Sequence, residues 1–418
     1  MILLENKSII NYRLPLKKFM KQMQLKGYIK EHYSEIADSF KKNFDNYGEL
    51  GASLCVYHNN KKVIDIWGGY KDPKKSKEWD EDTVVPLFST TKAVAASCIA
   101  ICHSRGLIDY NRKVSEYWSE FGTENKNKIT IEQLLQHRAG LSAIDEKLNT
   151  NKIKDRKLLD QIIAKQKPRW KPGYYQGYHV WNIGWYISSL LSRVDPKNRF
   201  LKEFLEEEVI PHIEGEVRIG LENNYDWSKI ATLKPFSKLK GLFSMPAKFV
   251  LEFFKPWSLS FKSMLNPSFV SNHANFNKPE ILHLEMGAGG GIGNARGLAS
   301  LIDSLTNVNH PLNINNDTLD YLMKYPDAPK KGWKDIVFKQ DAFRFHAGFM
   351  KPSKNHDFSK SSKAFGGFGA GGSFVFYDPK YKFTVAYTMN KMSSKIMNMD
   401  RELNIRNSVY KTITTSGH

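Results

Sequence analysis

The stretch that decides the reading runs from Phe88 to Arg105, FSTTKAVAASCIAICHSR, and is followed at once by Gly106. Lys92 and Arg105 are its only formal charges. Gly106 suits a helix end, because glycine adopts the left-handed conformation that closes a last turn. A helix apolar on nearly every face belongs in the middle of a fold. At its start stands Ser89-Thr90-Thr91-Lys92. Positions i and i+3 share a helix face, so the Lys92 amine can approach the Ser89 hydroxyl. A buried lysine of lowered pKa can take that proton, and a helix N-terminus favours the negative charge that develops. The same spacing recurs at Ser39, Ser237 and Ser408, in amphipathic or exposed surroundings. What separates Ser89 is its lysine, the sole charge between 88 and 103, which is costly to bury without a role or a partner.

Working outward on the N-terminal side, ASLCVYH (52–58) and KVIDIW (62–67) read as a β-hairpin. Ile36, Phe40 and Phe44 predict a helix before it. Leu16, Phe19, Met20 and Met23, with Lys17, Lys18 and Lys21 opposite, predict a basic amphipathic helix over 14–26. On the C-terminal side, 110–280 reads as mostly helical, with Thr130 opening one helix and Asn182 inside another. A Gly-rich loop (GAGGGIG, 287–293), the helix ARGLASLIDSL, strands at 371–378 and 382–389, and a helix over 393–413 complete the chain. Strands at both ends with helices between them imply an α/β sandwich: an antiparallel sheet flanked by helices, plus an inserted, mostly helical lobe. The expected division is a basic segment, 1–29, and one domain, 30–418. Its α/β part covers about 30–88 and 280–418, and its helical lobe about 89–279.

Two further motifs can carry chemistry. In WKPGYYQGYHVWNIGW (170–185), a Pro-Gly turn and an aromatic loop lead into a helix, so that Tyr178 can be held over a pocket as a proton-transfer group. In AFGGFGAGGSFVFYDP (364–379), Gly367, Gly369 and Gly372 match GxGxxG formally, but a strand follows rather than a helix, which rejects the dinucleotide-binding reading. Glycines before a strand instead let a substrate approach backbone N–H groups. Cys98 and Cys102, with His103 beside them, read as core residues rather than a metal site, and neither HExxH nor paired CxxC is present.

These segments, in this order, resemble the serine β-lactamase and penicillin-binding-protein superfamily, most closely its class C β-lactamase-like esterases and β-lactamase domain-containing proteins. VVPLFSTTKAVAA, GLIDYNRKVSEYWSEFG, ITIEQLLQHRAGL, NARGLASLID and GAGGSFVFYDP all look like that branch, over roughly 30–395. The resemblance implies Ser89 as the acylated nucleophile, Lys92 as its proton partner and Tyr178 as the base. It further implies an oxyanion hole from the backbone N–H groups of Ser89 and Ala370, and a substrate-binding strand carrying Gly367 and Gly369. Neither a metal nor an organic cofactor is implied. Two departures stand out: Tyr178-His179-Val180 lacks the amide of the family's Tyr-x-Asn, and Gly367 stands where a lysine or histidine is usual. His179 is one residue that could compensate; His137 and Arg296 read as structural.

The 418 residues carry 62 basic and 43 acidic side chains, a net charge of +19, with 41% hydrophobic and 13% aromatic residues. That composition excludes disordered, collagen-like and coiled-coil chains. Three cysteines cannot form a disulfide framework, and no secretory signal or long apolar span is visible, so the expected location is intracellular, cytoplasmic and at most peripheral to a membrane. Residues 1–30 hold +6 of the charge and 234–262 hold +5. The second of these lies in an aromatic insert, 234–269, with seven phenylalanines and Trp257. Its two readings are a lid or docking element for an anionic membrane and a core-packed segment with solvated lysines. No nucleic-acid module is recognisable. The expected activity is a serine hydrolase acting through an acyl-enzyme on small ester or amide substrates, with esterase favoured. The alternative is an impaired binding or scaffold protein of the same fold, motivated by Gly367.

Overall fold

The β-rich ends of the chain alternate side chains with a period of two, and that alternation builds one sheet buried on both faces. In the computed structural model, which describes residues 24–237, 241, 244–395 and 397–415, the main sheet is antiparallel and eight-stranded. Its strands are β1 (Lys26–Ile29), β2 (Gly51–His58), β3 (Lys61–Gly69), β7 (Arg344–His346), β8 (Phe349–Lys351), β9 (Phe365–Phe368), β10 (Phe374–Asp378) and β11 (Phe383–Met389). Their spatial order is β1-β3-β2-β11-β10-β9-β8-β7. The two chain ends therefore meet at the centre, where β2 pairs with β11 (Cys55 opposite Ala386). Asn59 and Asn60, both at positive φ (51° and 56°), make the two-residue turn of the β2–β3 hairpin, a conformation asparagine tolerates well.

β11 shows how both faces are covered. Phe383 and Tyr387 meet Tyr410 of the helix Asp400–Thr415 and Phe40 of α1 (Ser34–Asp45), respectively. Thr384, of the other parity, bonds Asp303 of the helix Ala295–Ser304 (3.1 Å), and Thr388 bonds Ser53 (2.8 Å), which in turn accepts the N–H of Ala295. Both terminal helices are locked by the buried Glu49–Arg401 ion pair and by Asn43, whose side chain donates to the Arg401 carbonyl (3.1 Å).

The helical lobe enters between β3 and β7. Its α2 (Thr91–Ser104), preceded by a 3-10 turn at Phe88–Thr90, packs on β8 and β9 on one side and on the helix Ile183–Val194 on the other. A small second sheet joins lobe to core: β6 (Gly291–Gly293) lies between β4 (Val85–Pro86) and β5 (Val217–Ile219). The α/β sandwich with an inserted helical lobe is thus the observed architecture.

Details differ from the sequence expectation. Residues 14–23 of the expected basic helix lie outside the described residues, and Lys26–Ile29, placed with the N-terminal segment, is an edge strand of the domain (Lys26 opposite Trp67). Asn182 sits at the N-cap of Ile183–Val194 rather than inside it, with its side-chain amide donating to the Leu141 carbonyl. The β7–β8 hairpin escapes sequence reading because Ala347, at φ 49°, occupies a turn position where asparagine or glycine would be the signal.

Candidate active site

Ser89 owes its position to a backbone anomaly one residue earlier. Phe88 holds φ 47°, a conformation rare for a bulky residue, and this turns the chain into the helix so that Ser89 emerges. From Thr83 to Cys102 every residue is buried except Ser89. From Ala364 to Phe376 every residue is buried except Ala370. Two otherwise closed segments each open at one residue, the expected nucleophile and the expected oxyanion donor.

A hydrogen-bond lattice fixes these two openings relative to each other. The Thr90 hydroxyl lies 3.0 Å from the Ser373 carbonyl and 2.9 Å from the Ser373 hydroxyl, and the latter lies 3.0 Å from the Leu87 carbonyl. The Gly369 N–H donates to the Ser373 carbonyl (2.8 Å), closing the turn that carries Ala370. Among the turn, loop and cap hydrogen bonds of the described residues, none is donated by the Ser89 or Ala370 N–H.

Lys92 is 5% exposed, with its Nζ 3.3 Å from Ser89 Oγ. The same nitrogen donates to the carbonyls of Val180 and Ala288, each at 2.7 Å, and lies 4.8 Å from the centre of the Tyr178 ring. Burial holds its amine well below the ordinary lysine range. A neutral amine has two N–H groups, which the two carbonyls occupy, and one lone pair, which is then left for the serine hydroxyl. At Val180, where the family's side-chain amide is missing, it is the backbone carbonyl that meets the lysine.

Tyr178 is buried, and burial raises its phenol above the ordinary value, an effect that the Ser89 side chain partly offsets. Phe338, Phe343 and Phe345 surround its ring at 5.6–5.9 Å. Its backbone is held by Asp335, a buried carboxylate that accepts from the N–H of Tyr178 (2.9 Å), Val337 (2.8 Å) and Phe338 (2.8 Å). Burial lifts Asp335 to about 6. The carbonyl of Ala288 is presented by the Gly-rich loop, which Gly184 admits: a Cβ there would lie 2.3 Å from the Ala288 nitrogen.

Several expectations are corrected. Gly367 and Gly369 do not open a substrate path through their missing side chains. A Cβ on Gly367 would lie 2.8 Å from the Ala93 Cβ, and one on Gly369 would lie 2.3 Å from the Leu87 carbonyl, so the absent side chains admit the start of α2 to β9. His179 cannot supply the missing cation. Its Nδ1 donates to the Gly177 carbonyl (2.7 Å) and its Nε2 accepts from the Leu141 N–H (3.1 Å), a neutral arrangement that burial reinforces by lowering its pKa to about 3. His137, whose Nδ1 accepts from the His179 N–H (3.1 Å), and Arg296, paired with Asp65, are framework groups. Cys98 and Cys102 are buried free thiols.

Sequence reasoning missed Asp335, Ala288 and the phenylalanine box. Asp335 lies in no motif and the Ala288 carbonyl is a backbone group, although the glycine run at 287–293 is the signal that a backbone must come close there.

A family model described as Beta-lactamase matches residues 36–406. The esterase/beta-lactamase LipL of Mycobacterium tuberculosis is 25% identical over 382 residues, 90% of this chain and 85% of LipL. The crystal structure of a family VIII carboxylesterase has a TM-score of 0.80 at 27% identity, covering 93% of this chain and 100% of the other. A penicillin-binding protein homologue from Caulobacter crescentus scores 0.79 at 26% identity, with 93% of this chain and 100% of that one covered. The family match spans most of the chain and contains Ser89, Lys92 and Tyr178: this protein belongs to the Beta-lactamase family.

Proposed function

We propose that the protein is a serine hydrolase that cleaves carboxylic esters through an acyl-enzyme on Ser89. The observation that carries this is the environment of Lys92: a buried amine with two carbonyl acceptors and its remaining direction on the hydroxyl of the only non-buried residue in the segment. In acylation, Ser89 Oγ bonds to the substrate carbonyl carbon and its proton passes to Lys92 Nζ. The oxyanion lies between the N–H groups of Ser89 and Ala370, each such donor being worth about 3 kcal/mol in the transition state. The carbon–oxygen bond of the ester then breaks. The departing alkoxide takes the Tyr178 hydroxyl proton, and the Lys92 ammonium restores the phenol. Water repeats the sequence on the acyl-enzyme, giving its proton to Lys92 and releasing the acid, while Ser89 recovers its own.

Lys92 is thereby the first proton acceptor and Tyr178 the acid, the reverse of the roles the resemblance implies. Opposite shifts support this order, because a lowered amine is a ready base and a raised phenol remains protonated to donate. Esters are favoured over β-lactams because no side-chain cation stands at Gly367 to bind a substrate carboxylate. The esterase names of LipL and the family VIII carboxylesterase point the same way. The test is a substrate panel. Turnover of p-nitrophenyl esters with little or none of a chromogenic cephalosporin supports this reading; a folded protein that turns over neither favours the scaffold alternative.

A further inference from the structure

Among the described residues, three large apolar side chains are exposed far beyond the rest: Leu251 (67%), Phe254 (66%) and Trp257 (74%). All other exposed large hydrophobics are at 46% or below, and they are scattered along the chain. The three lie on one short stretch of the insert, at the end of the helix Ala247–Phe253 and in the turn that leads to the helix Leu259–Leu265. The helix is apolar on two sides. Phe249 and Phe253, at i and i+4, face inward, with Phe249 5.3 Å from Phe338 and Phe253 6.3 Å from Phe261. Leu251 and Phe254 fall on the opposite side, where core packing gives them no reason to be apolar.

The turn is held rather than loose. Ser258 accepts from the Phe261 N–H (3.0 Å) and donates to the Glu252 carbonyl (2.6 Å), so one side chain ties both helices together. Ser260 donates to the Val337 carbonyl (2.6 Å) and fastens the second helix to the body. Lysines flank the tip in the chain, Lys248 and Lys255 beside its three apolar residues and Lys262 on the next helix, while the charge of Lys339 from the neighbouring loop reaches Glu252. Glu252, the only acid of the insert, is occupied by Lys255 (2.8 Å).

We infer that this tip is a docking surface for an anionic lipid bilayer, with Leu251, Phe254 and Trp257 entering the interfacial layer and the lysines meeting lipid phosphates. A fixed apolar tip flanked by lysines is complementary to apolar acyl chains below anionic headgroups. Tryptophan suits that boundary, since its ring is apolar and its N–H is polar. A second copy of this chain is a poorer occupant, because it would bring the same lysines and a net charge of +19 against its like.

The test is co-sedimentation of the full chain with vesicles of phosphatidylcholine alone or doped with phosphatidylglycerol. Partitioning at least about ten-fold stronger on the anionic vesicles is expected, weakening as salt is raised. The triple variant Leu251→Asp, Phe254→Asp, Trp257→Asp should lose about ten-fold or more of it while keeping the wild-type melting temperature. Lys248→Glu with Lys262→Glu should remove the preference for anionic lipid. Ser89→Ala should bind as the wild type does, so that docking and hydrolysis fail separately. The inference is overturned if no vesicle is bound, if the folded triple variant binds unchanged, or if light scattering shows a dimer that the triple variant abolishes.

Discussion

Lys92 and Lys351 are nearly the same object placed in two settings. Each is buried, and each donates to two backbone carbonyls, Lys92 to Val180 and Ala288 and Lys351 to Leu322 (3.0 Å) and Lys363 (2.9 Å). Each lies near an aromatic ring, Tyr178 at 4.8 Å and Phe365 at 5.8 Å. Burial lowers both amines, Lys351 to about 7. The difference is the third direction, where Lys92 has the partly exposed Ser89 hydroxyl. Burial and carbonyl acceptors are thus common to both lysines, and under the proposed function it is the hydroxyl on the remaining direction that sets Lys92 apart as a base.

The comparison is broken or sharpened most strongly at Ser89. Ser89→Ala should lower kcat on a p-nitrophenyl ester by about 10⁴-fold or more, because without the nucleophile the remaining groups have nothing to act on. Lys92→Met should cost about 10³-fold in kcat with the fold retained, whereas Lys351→Met should leave kcat within about two-fold. Equal losses at the two lysines would erase the distinction. The acid limb of the kcat/KM profile should disappear with Lys92, since activity is lost as pH falls through its depressed pKa and the ammonium can no longer accept a proton.

Lys351 should declare itself in stability instead. Its pKa is lower folded than unfolded, so between about 7 and the ordinary lysine value the unfolded chain binds more protons, and stability rises with pH across that window. Urea titrations should show wild type gaining on Lys351→Met by at most about 1.4 kcal/mol per pH unit there. A constant difference would mean that Lys351 is not buried as described. The smallest effect expected is at Phe249, which reaches Tyr178 through Phe338 (5.3 Å and 5.7 Å). Decanoyl esters should be preferred to acetyl esters, and Phe249→Ala should reduce that preference several-fold. Equal hydrolysis of the two by wild type would sever the insert from the acyl site.

Much of this was legible in the residues. The charge-poor helix after Ser89 announced its burial, and the alternation in 52–67 and 371–389 announced the central strands. Lys92 and Tyr178 were legible as side chains beside Ser89. Acceptors that come from the backbone were not: the carbonyls of Val180 and Ala288 have no residue-type signature. Gly367 misled for a related reason. An absent side chain can admit a substrate or a neighbouring helix, and only the position of Ala93 decides between them.

The central claim, that Lys92 turns Ser89 and no other serine into the nucleophile, is tested most directly by fluorophosphonate labelling followed by peptide mass spectrometry across pH. One adduct is expected, on the peptide containing Ser89, absent in Ser89→Ala and forming faster as pH rises through the depressed ionisation of Lys92. A folded protein that never labels, or one that labels elsewhere or at an unchanged rate in Lys92→Met, would contradict it.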